Sequence, residues 1–228
     1  GPAFVTAWAE GQLSYTHDMV TYITRTTMDT NGWFVRADAP WKDAEELIEY
    51  IIANPNKLRL GTAGTSIAQS SMISEALKDE LKGQKAVNQL GYEGASRAAT
   101  ELIGGHIELA TGKMADYIQH VNSGVLRPIM SLAEGRTKVF PGIQTFNELP
   151  YDDILPVGDP AFNATFLVGP RGIRPEIVDY LYKVFRAALL SDDYQEYAAK
   201  AGSIVEPIPP EECPAAVDAF FEAKYQES

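Results

Sequence analysis

One cysteine in 228 residues, Cys213, rules out an internal disulfide and any metal site built on several thiolates. Histidine is nearly as scarce: His17, His106 and His120 are not spaced to share a helix face and have no acidic ligand set beside them, so no metal ion is expected. Basic residues are also in short supply. The 19 Lys and Arg stand against 31 Asp and Glu, a net charge of −12, which argues against nucleic acid as a partner. No apolar run approaches the roughly 18 residues of a membrane-spanning helix. The glycine spacing of a dinucleotide fingerprint and the Gly-Lys-Ser/Thr ending of a phosphate loop are both missing, so no cofactor is expected. The chain opens on Gly1-Pro2 without a methionine or the charged-then-apolar pattern of a secretory leader, and an N-terminal truncation is expected.

What remains is an ordinary core-forming composition, 45% hydrophobic and 22% charged. The most telling stretch is Lys57 to Ser66, a short strand ending in Gly61-Thr62-Ala63-Gly64-Thr65-Ser66, followed by an amphipathic run from Ile67 to Leu77. A strand, a turn of small and hydroxylated residues and a helix leave backbone N–H groups at the helix start, where the macrodipole favours an anion. The hydroxyls of Thr62, Thr65 and Ser66 can cap that helix or donate to a ligand. The pattern returns in Val87 to Tyr92, the turn Glu93-Gly94-Ala95-Ser96 and a helix from Arg97 to Ile103. Two such units in succession predict a crevice for a small anion at the strand C-termini.

The rest of the chain alternates in the same way. Met19–Thr24 and Gly32–Arg36 read as two strands, and Asp38–Asp43 as a helix-start signal before Ala44, Leu47, Ile48, Ile51 and Ile52 at helical spacing. Glu108–Gly112, Leu126–Ser131 and Ala164–Pro170 read as strands, and Met114–Asn122 as a helix closed by Ser123-Gly124. The Pro- and Asp-rich stretch from Arg136 to Asp159 reads as connection. A long helix from Pro175 to Leu190 turns Ile177, Leu181, Val184, Phe185 and Ala188 inward, and two shorter helices follow, around 192–201 and 211–225. The alternation implies an α/β fold with a mostly parallel sheet covered by helices.

Among single residues, Ser96 sits where a helix cap belongs, and Gly94-Ala95-Ser96-Arg97-Ala98 lacks the last glycine of a nucleophile elbow. His106, after Gly104-Gly105, complements a helix C-terminus. Lys113, just past a strand end, is either a solvated lysine or a charge partner for a carboxylate. Asp152-Asp153 and Glu211-Glu212 read as solvated acids.

Gly61–Ser66, Gly91–Ala95 and Glu101–Leu109, followed by Gly124–Ile129, Phe140–Leu149 and Thr165–Pro170, resemble in order and spacing the substrate-binding proteins of tripartite tricarboxylate transporters, the Bug family of periplasmic receptors. The resemblance runs from about Val20 to the end. It implies a type II periplasmic-binding-protein fold of two lobes, here N-terminally truncated, that traps a small carboxylate by hinge closure for delivery to membrane permease subunits. It implies residues 33–160 as lobe two, 1–32 as part of lobe one with a crossing strand, and 161–228 as the return crossing and C-terminal helices of lobe one. It places ligand contacts on Gly61, Thr62, Ala63, Gly64, Thr65 and Ser66, with Tyr92, Glu93 and Gly94 beside them. Thr165 and Phe166 would stand near the hinge, and no catalytic residue is implied.

The chain departs from that family's pattern at Gln69-Ser70, where many members have histidine, and at Glu93, where lysine is common. Glu93 repels a carboxylate unless it faces away or meets a cationic part of the ligand, which favours a ligand bearing an amino group or another polar acid. Two readings from other classes are the ligand-sensing module of a transcription regulator and a serine hydrolase using Ser96 or Ser66. A truncated first lobe would leave Ile177, Leu181, Val184 and Phe185 without a partner, so self-association or partial rearrangement is expected.

Overall fold

Seventeen residues in a row, Val20–Arg36, form one strand, β1. The two strands expected at Met19–Thr24 and Gly32–Arg36 are therefore a single element. The polar residues between them do not interrupt it, because their backbone groups find partners along the way. Met28 N donates to Ile204 O at 2.9 Å, Thr27 bridges Val205, and Asn31 pairs with Lys113. Asp29, Thr30 and Asn31 are buried in mid-strand.

The computed structural model describes residues 19–63, 73–133, 135–151 and 162–218, with the backbone alone for 162–163. The chain divides into two units: Thr30–Val157 in one, and the residues up to Asp29 together with those from Gly158 in the other.

The unit holding Thr30–Val157 is built on α1 (Ala44–Ala53), β2 (Arg59–Ala63), α2 (Lys78–Leu81), β3 (Asn88–Tyr92), α3 (Ala95–Ile103), β4 (Leu109–Lys113), α4 (Met114–Asn122) and β5 (Leu126–Ser131). Its strand order is β3-β2-β4-β1-β5. β2 runs parallel to β3 and β4, and β1 runs antiparallel to β4 and β5. Four strands thus point one way, and β1 is inserted among them in reverse. Against β5 the register slips between Trp33 and Phe34, which pair with Met130 and Pro128. Such a bulge suits Pro128, which has no N–H to give to the ladder.

Alternation sorts the side chains. Phe34, Ala110 and Ile107 meet Ala98, Ala99 and Leu102 of α3 and Met114 and Tyr117 of α4 in one cluster. Phe34 lies flat on Tyr117, with centroids 4.1 Å apart and planes 14° apart. Asp43 caps α1 by accepting from Glu46 N at 2.9 Å, and the helix buries Ala44, Leu47, Ile48 and Ile51. α3 ends in a Schellman turn: His106 N reaches Glu101 O, Gly105 N reaches Leu102 O, and Gly105 takes the required φ of +72°. The connection after β5 carries a short 3-10 turn, Phe146–Glu148, and its residues 134 and 152–161 lie outside the described residues.

In the other unit β6 (Phe162–Pro170) pairs with β1. Tyr22, Cys213 and Val217 form a buried cluster there, with Phe166 edge-on to Tyr22 at 5.7 Å. Burial pushes the Cys213 thiol up to about 11 and the Tyr22 hydroxyl up to about 12, so both stay neutral. α5 (Pro175–Leu189) and α6 (Asp192–Ala201) follow, then a 3-10 turn at Pro210–Glu212 and helical backbone through 218. The face of α5 expected to turn inward does not: Ile177, Val184 and Phe185 are exposed, Leu181 is half-buried, and the helix fully buries only Leu189. Amphipathic spacing marks which face is apolar but cannot supply the surface that covers it. No helix among the described residues is long and apolar enough to cross a membrane.

Candidate functional site

The strands of the two expected strand–turn–helix units lie side by side. β2 and β3 run parallel with Thr62 opposite Gly91 and Ala63 opposite Tyr92, while Thr62 also faces Thr111 of β4. Ala63, Tyr92 and Lys113 are the last residues of β2, β3 and β4. The C-terminal ends of three parallel strands therefore form one row, and α3 and α4 each start from it. Gly64, Thr65 and Ser66, together with Gln69-Ser70, lie outside the described residues.

Within the row, the residues expected to bind a ligand divide into two groups. Gly61 is buried, and a Cβ there would stand 2.5 Å from Ile107 Cδ1, 3.1 Å from the Tyr92 ring and 3.4 Å from Ala98. Its bare backbone lets α3 close on the sheet. Thr62 is buried as well, and its hydroxyl accepts from Gln89 Nε2 at 3.4 Å inside the sheet. The Tyr92 ring packs on the Phe34 cluster. The outward group is Ala63 and Glu93, both exposed, with Gly94 and Lys113 half-buried. Lys113 is the last residue of β4 and directly precedes α4. Thr165 and Phe166 belong to the other unit. Thr165 is exposed and accepts through its carbonyl from Thr26 Oγ1 at 3.1 Å, and Phe166 sits in the Tyr22 cluster.

The start of α3 differs from the expectation. Gly94, not Ser96, is the cap residue; Ser96 is exposed in the first turn. Gly94 has extended backbone at φ 177°, makes no side-chain cap and has no atom within 4 Å of where a Cβ would stand. The first turn of α3 carries no acid, and it does carry Arg97, whose Nη2 pairs with Glu101 Oε1 at 2.6 Å. α1 and α6 instead hold side-chain caps, Asp43 and Ser191, and two acids each in their first turns. Uncapped amides, a positive dipole end and a guanidinium in one turn attract a carboxylate. Arg97 escaped the sequence reading, although a cation in a first turn, where acids are the rule, is the signal that would have found it.

At the opposite ends of the strands Glu108 ties β4 to β2. Its Oε2 accepts from Arg59 N at 2.8 Å and from Arg59 Nε at 3.1 Å. Burial raises the Glu108 carboxyl, but the hydrogen bonds and charge of Arg59 outweigh that and hold it below its ordinary value. Among the described residues no group of three or more His, Cys, Asp and Glu is placed to hold a metal ion.

The model of the tripartite tricarboxylate transporter family receptor, TctC, matches residues 3–213. The chain is 31% identical over 170 residues to the UPF0065 protein in the gbd 5′ region of Cupriavidus necator, covering 74% of this chain and 49% of that protein. To BugT of Bordetella pertussis it is 29% identical over 136 residues, covering 60% of this chain and 40% of that protein. It thus spans about half the length of the curated relatives it matches. MatC of Rhodopseudomonas palustris, solved with bound malate, shares the fold at a TM-score of 0.73 and 21% identity, covering 94% of this chain and 71% of that one. With the family's sequence pattern running nearly end to end and the mixed α/β fold in place, the chain belongs to the TctC family of tripartite tricarboxylate transporter receptors.

Proposed function

We propose that this chain is part of a periplasmic solute receptor that captures a small carboxylate and delivers it to the membrane permease of a tripartite tricarboxylate-type transporter. Capture makes and breaks no bond, so no catalytic residue or cofactor is needed. The observation that carries this reading is the start of α3 beside the ends of β2 and β4: without a side-chain cap, open at Gly94, with no acid in its first turn, and carrying Arg97, which is paired with Glu101. The relative solved with malate bound supports the ligand class. Ala63, Glu93 and Gly94 with Lys113 stand at the same end of the sheet and would be this unit's contacts, and the other unit we assign to lobe one. The chain's net charge of −12 does not oppose this, because surface charge is screened over about 10 Å while amides and Arg97 act in contact. Glu93, exposed beside Gly94, would favour acids that also carry an amino group.

Gly94→Asp tests the assignment. Its carboxylate would cap α3 and stabilise the protein by about 0.5 kcal/mol while occupying the ligand's place. Isothermal titration with malate and with an amino dicarboxylate, on this chain and on one extended to the length of its relatives, is expected to show binding that Gly94→Asp weakens about tenfold or more. An unchanged dissociation constant in a binding-competent Gly94→Asp protein removes α3 from the site. No response of either chain to any carboxylate removes the ligand class.

A further inference from the structure

β1 enters its sheet in reverse, so its earlier residues, not its last, stand at the row of strand ends. Asn31 faces Lys113, the last residue of β4, and Asn31 O accepts from Leu132 N at 3.1 Å just past β5. Thr30 comes one residue earlier, at the tip of the row. Strand alternation sets it on the face of Gly32 and Phe34, where α3 and α4 pack. Phe34 lies in their cluster, and a Cβ on Gly32 would stand 3.0 Å from Met114 Cε at the start of α4. Thr30 is 2% exposed, and its Oγ1 is buried with no hydrogen-bond partner. The other threonines of β1 all donate: Thr21 to Pro170 O at 2.8 Å, Thr24 to Ile208 O at 2.8 Å, Thr26 to Thr165 O at 3.1 Å and Thr27 to Asp29 Oδ2 at 3.3 Å. Among the described residues, the one threonine of this strand left unpaired is the one at the row of strand ends.

A buried hydroxyl without a partner costs stability, and valine would fill the same space in a strand without that cost. The fold gains nothing from the hydroxyl, so its use lies with a ligand. On the receptor reading given above, we propose that Thr30 is a specificity-determining residue of the carboxylate site, its hydroxyl bonding a hydroxyl or amino substituent of the captured acid. A hydroxyl both donates and accepts, so it can pair with either an O–H or an ammonium N–H. In a receptor that closes on its ligand, a hydroxyl sealed from water has no other partner to turn to. An acid that lacks the substituent leaves Thr30 unpaired, which is how a site built around a substrate's hydroxyl rejects the analogue without one.

Thr30→Val keeps the shape and removes the hydroxyl. On this chain without ligand it is expected to raise the urea midpoint. Succinate, malate and aspartate differ only in carrying no group, a hydroxyl or an amino group on one carbon. Isothermal titration with each, on this chain and on one extended to the length of its relatives, reads the selectivity. The parent is expected to bind malate or aspartate at least about tenfold more tightly than succinate. Thr30→Val is expected to weaken the favoured acid to within about threefold of succinate, with succinate itself unchanged, while Thr30→Ser keeps the preference. A lower urea midpoint for Thr30→Val would overturn the proposal, because it shows that the hydroxyl already has a partner in the fold. A parent without preference, a preference that survives in Thr30→Val, or a Thr30→Val that weakens all three acids alike would overturn it too. Each of those leaves the receptor reading standing, since acids still bind. No binding of any of the three by either chain removes the receptor reading, and the role of Thr30 with it.

Discussion

A residue's type predicts what it can do, and its neighbours decide which of those things it does. Gly61 heads a turn that reads as an anion cradle, yet its missing Cβ serves the approach of Ile107, Tyr92 and Ala98. Gly61→Ala is therefore expected to cost about 1–3 kcal/mol by forcing Ile107 and the Tyr92 ring aside, measured as a shift in the urea midpoint. A substitution within about 0.5 kcal/mol of neutral would mean that α3 moves away freely and that Gly61 has no packing role. Thr62 makes the same point. Its hydroxyl was legible as a cap or a ligand donor, but strand alternation points it into the sheet beside Gln89 and Thr111. Ser96 and Gly94 exchange roles for a backbone reason, since the extended residue that ends the turn becomes the cap whatever its side chain.

At the scale of elements, local pattern was a good guide wherever an element buries its own stripe. α4 occupies Met114–Asn122 and β5 Leu126–Ser131, the spans that spacing and β-branching predict. β1 was legible only as two pieces, because Arg25 to Asn31 carry no apolar alternation; pairing partners more than a hundred residues away keep the strand going. One element is fastened by a single side chain. Arg127 of β5 donates to the carbonyls of Ala39, Trp41 and Lys42 and so fixes the turn that leads into α1. Arg127→Ala should cost about 2 kcal/mol, and Arg127→Lys should recover less than half of it, because an ammonium cannot present the fork that three carbonyls require. Equal stability of the Lys variant and the parent on thermal melting would contradict that geometry.

For the molecule as a whole, acid stability has a named contributor. The Glu108 carboxyl lies below its ordinary value in the folded chain, although burial alone would raise it, because Arg59 holds the charged form. The unfolded chain then binds the extra proton first. The contribution is complete above the unfolded carboxyl's pKa of about 4.3 and is lost as pH falls through the lower folded value. Glu108→Gln is expected to lower stability at pH 7 by about 1 kcal/mol and to flatten the loss of stability below pH 5. Parallel acid curves for the two proteins would show that Arg59 does not discriminate the charge state.

Composition and periodicity were enough to indicate an α/β chain with β2, β3, β4 and α3 close to their observed places, and the order of motifs along the chain carried the family resemblance. These are properties of local preference, and local preference is written in residue spacing. Only the tertiary structure decided that β1 is one strand reversed among four others, that Gly61 and Thr62 turn to packing while Gly94 and Arg97 face outward, and that α5 shows its apolar stripe to solvent. Each of those depends on what a distant segment brings to the other side of a backbone or a face, and no window of sequence contains both sides.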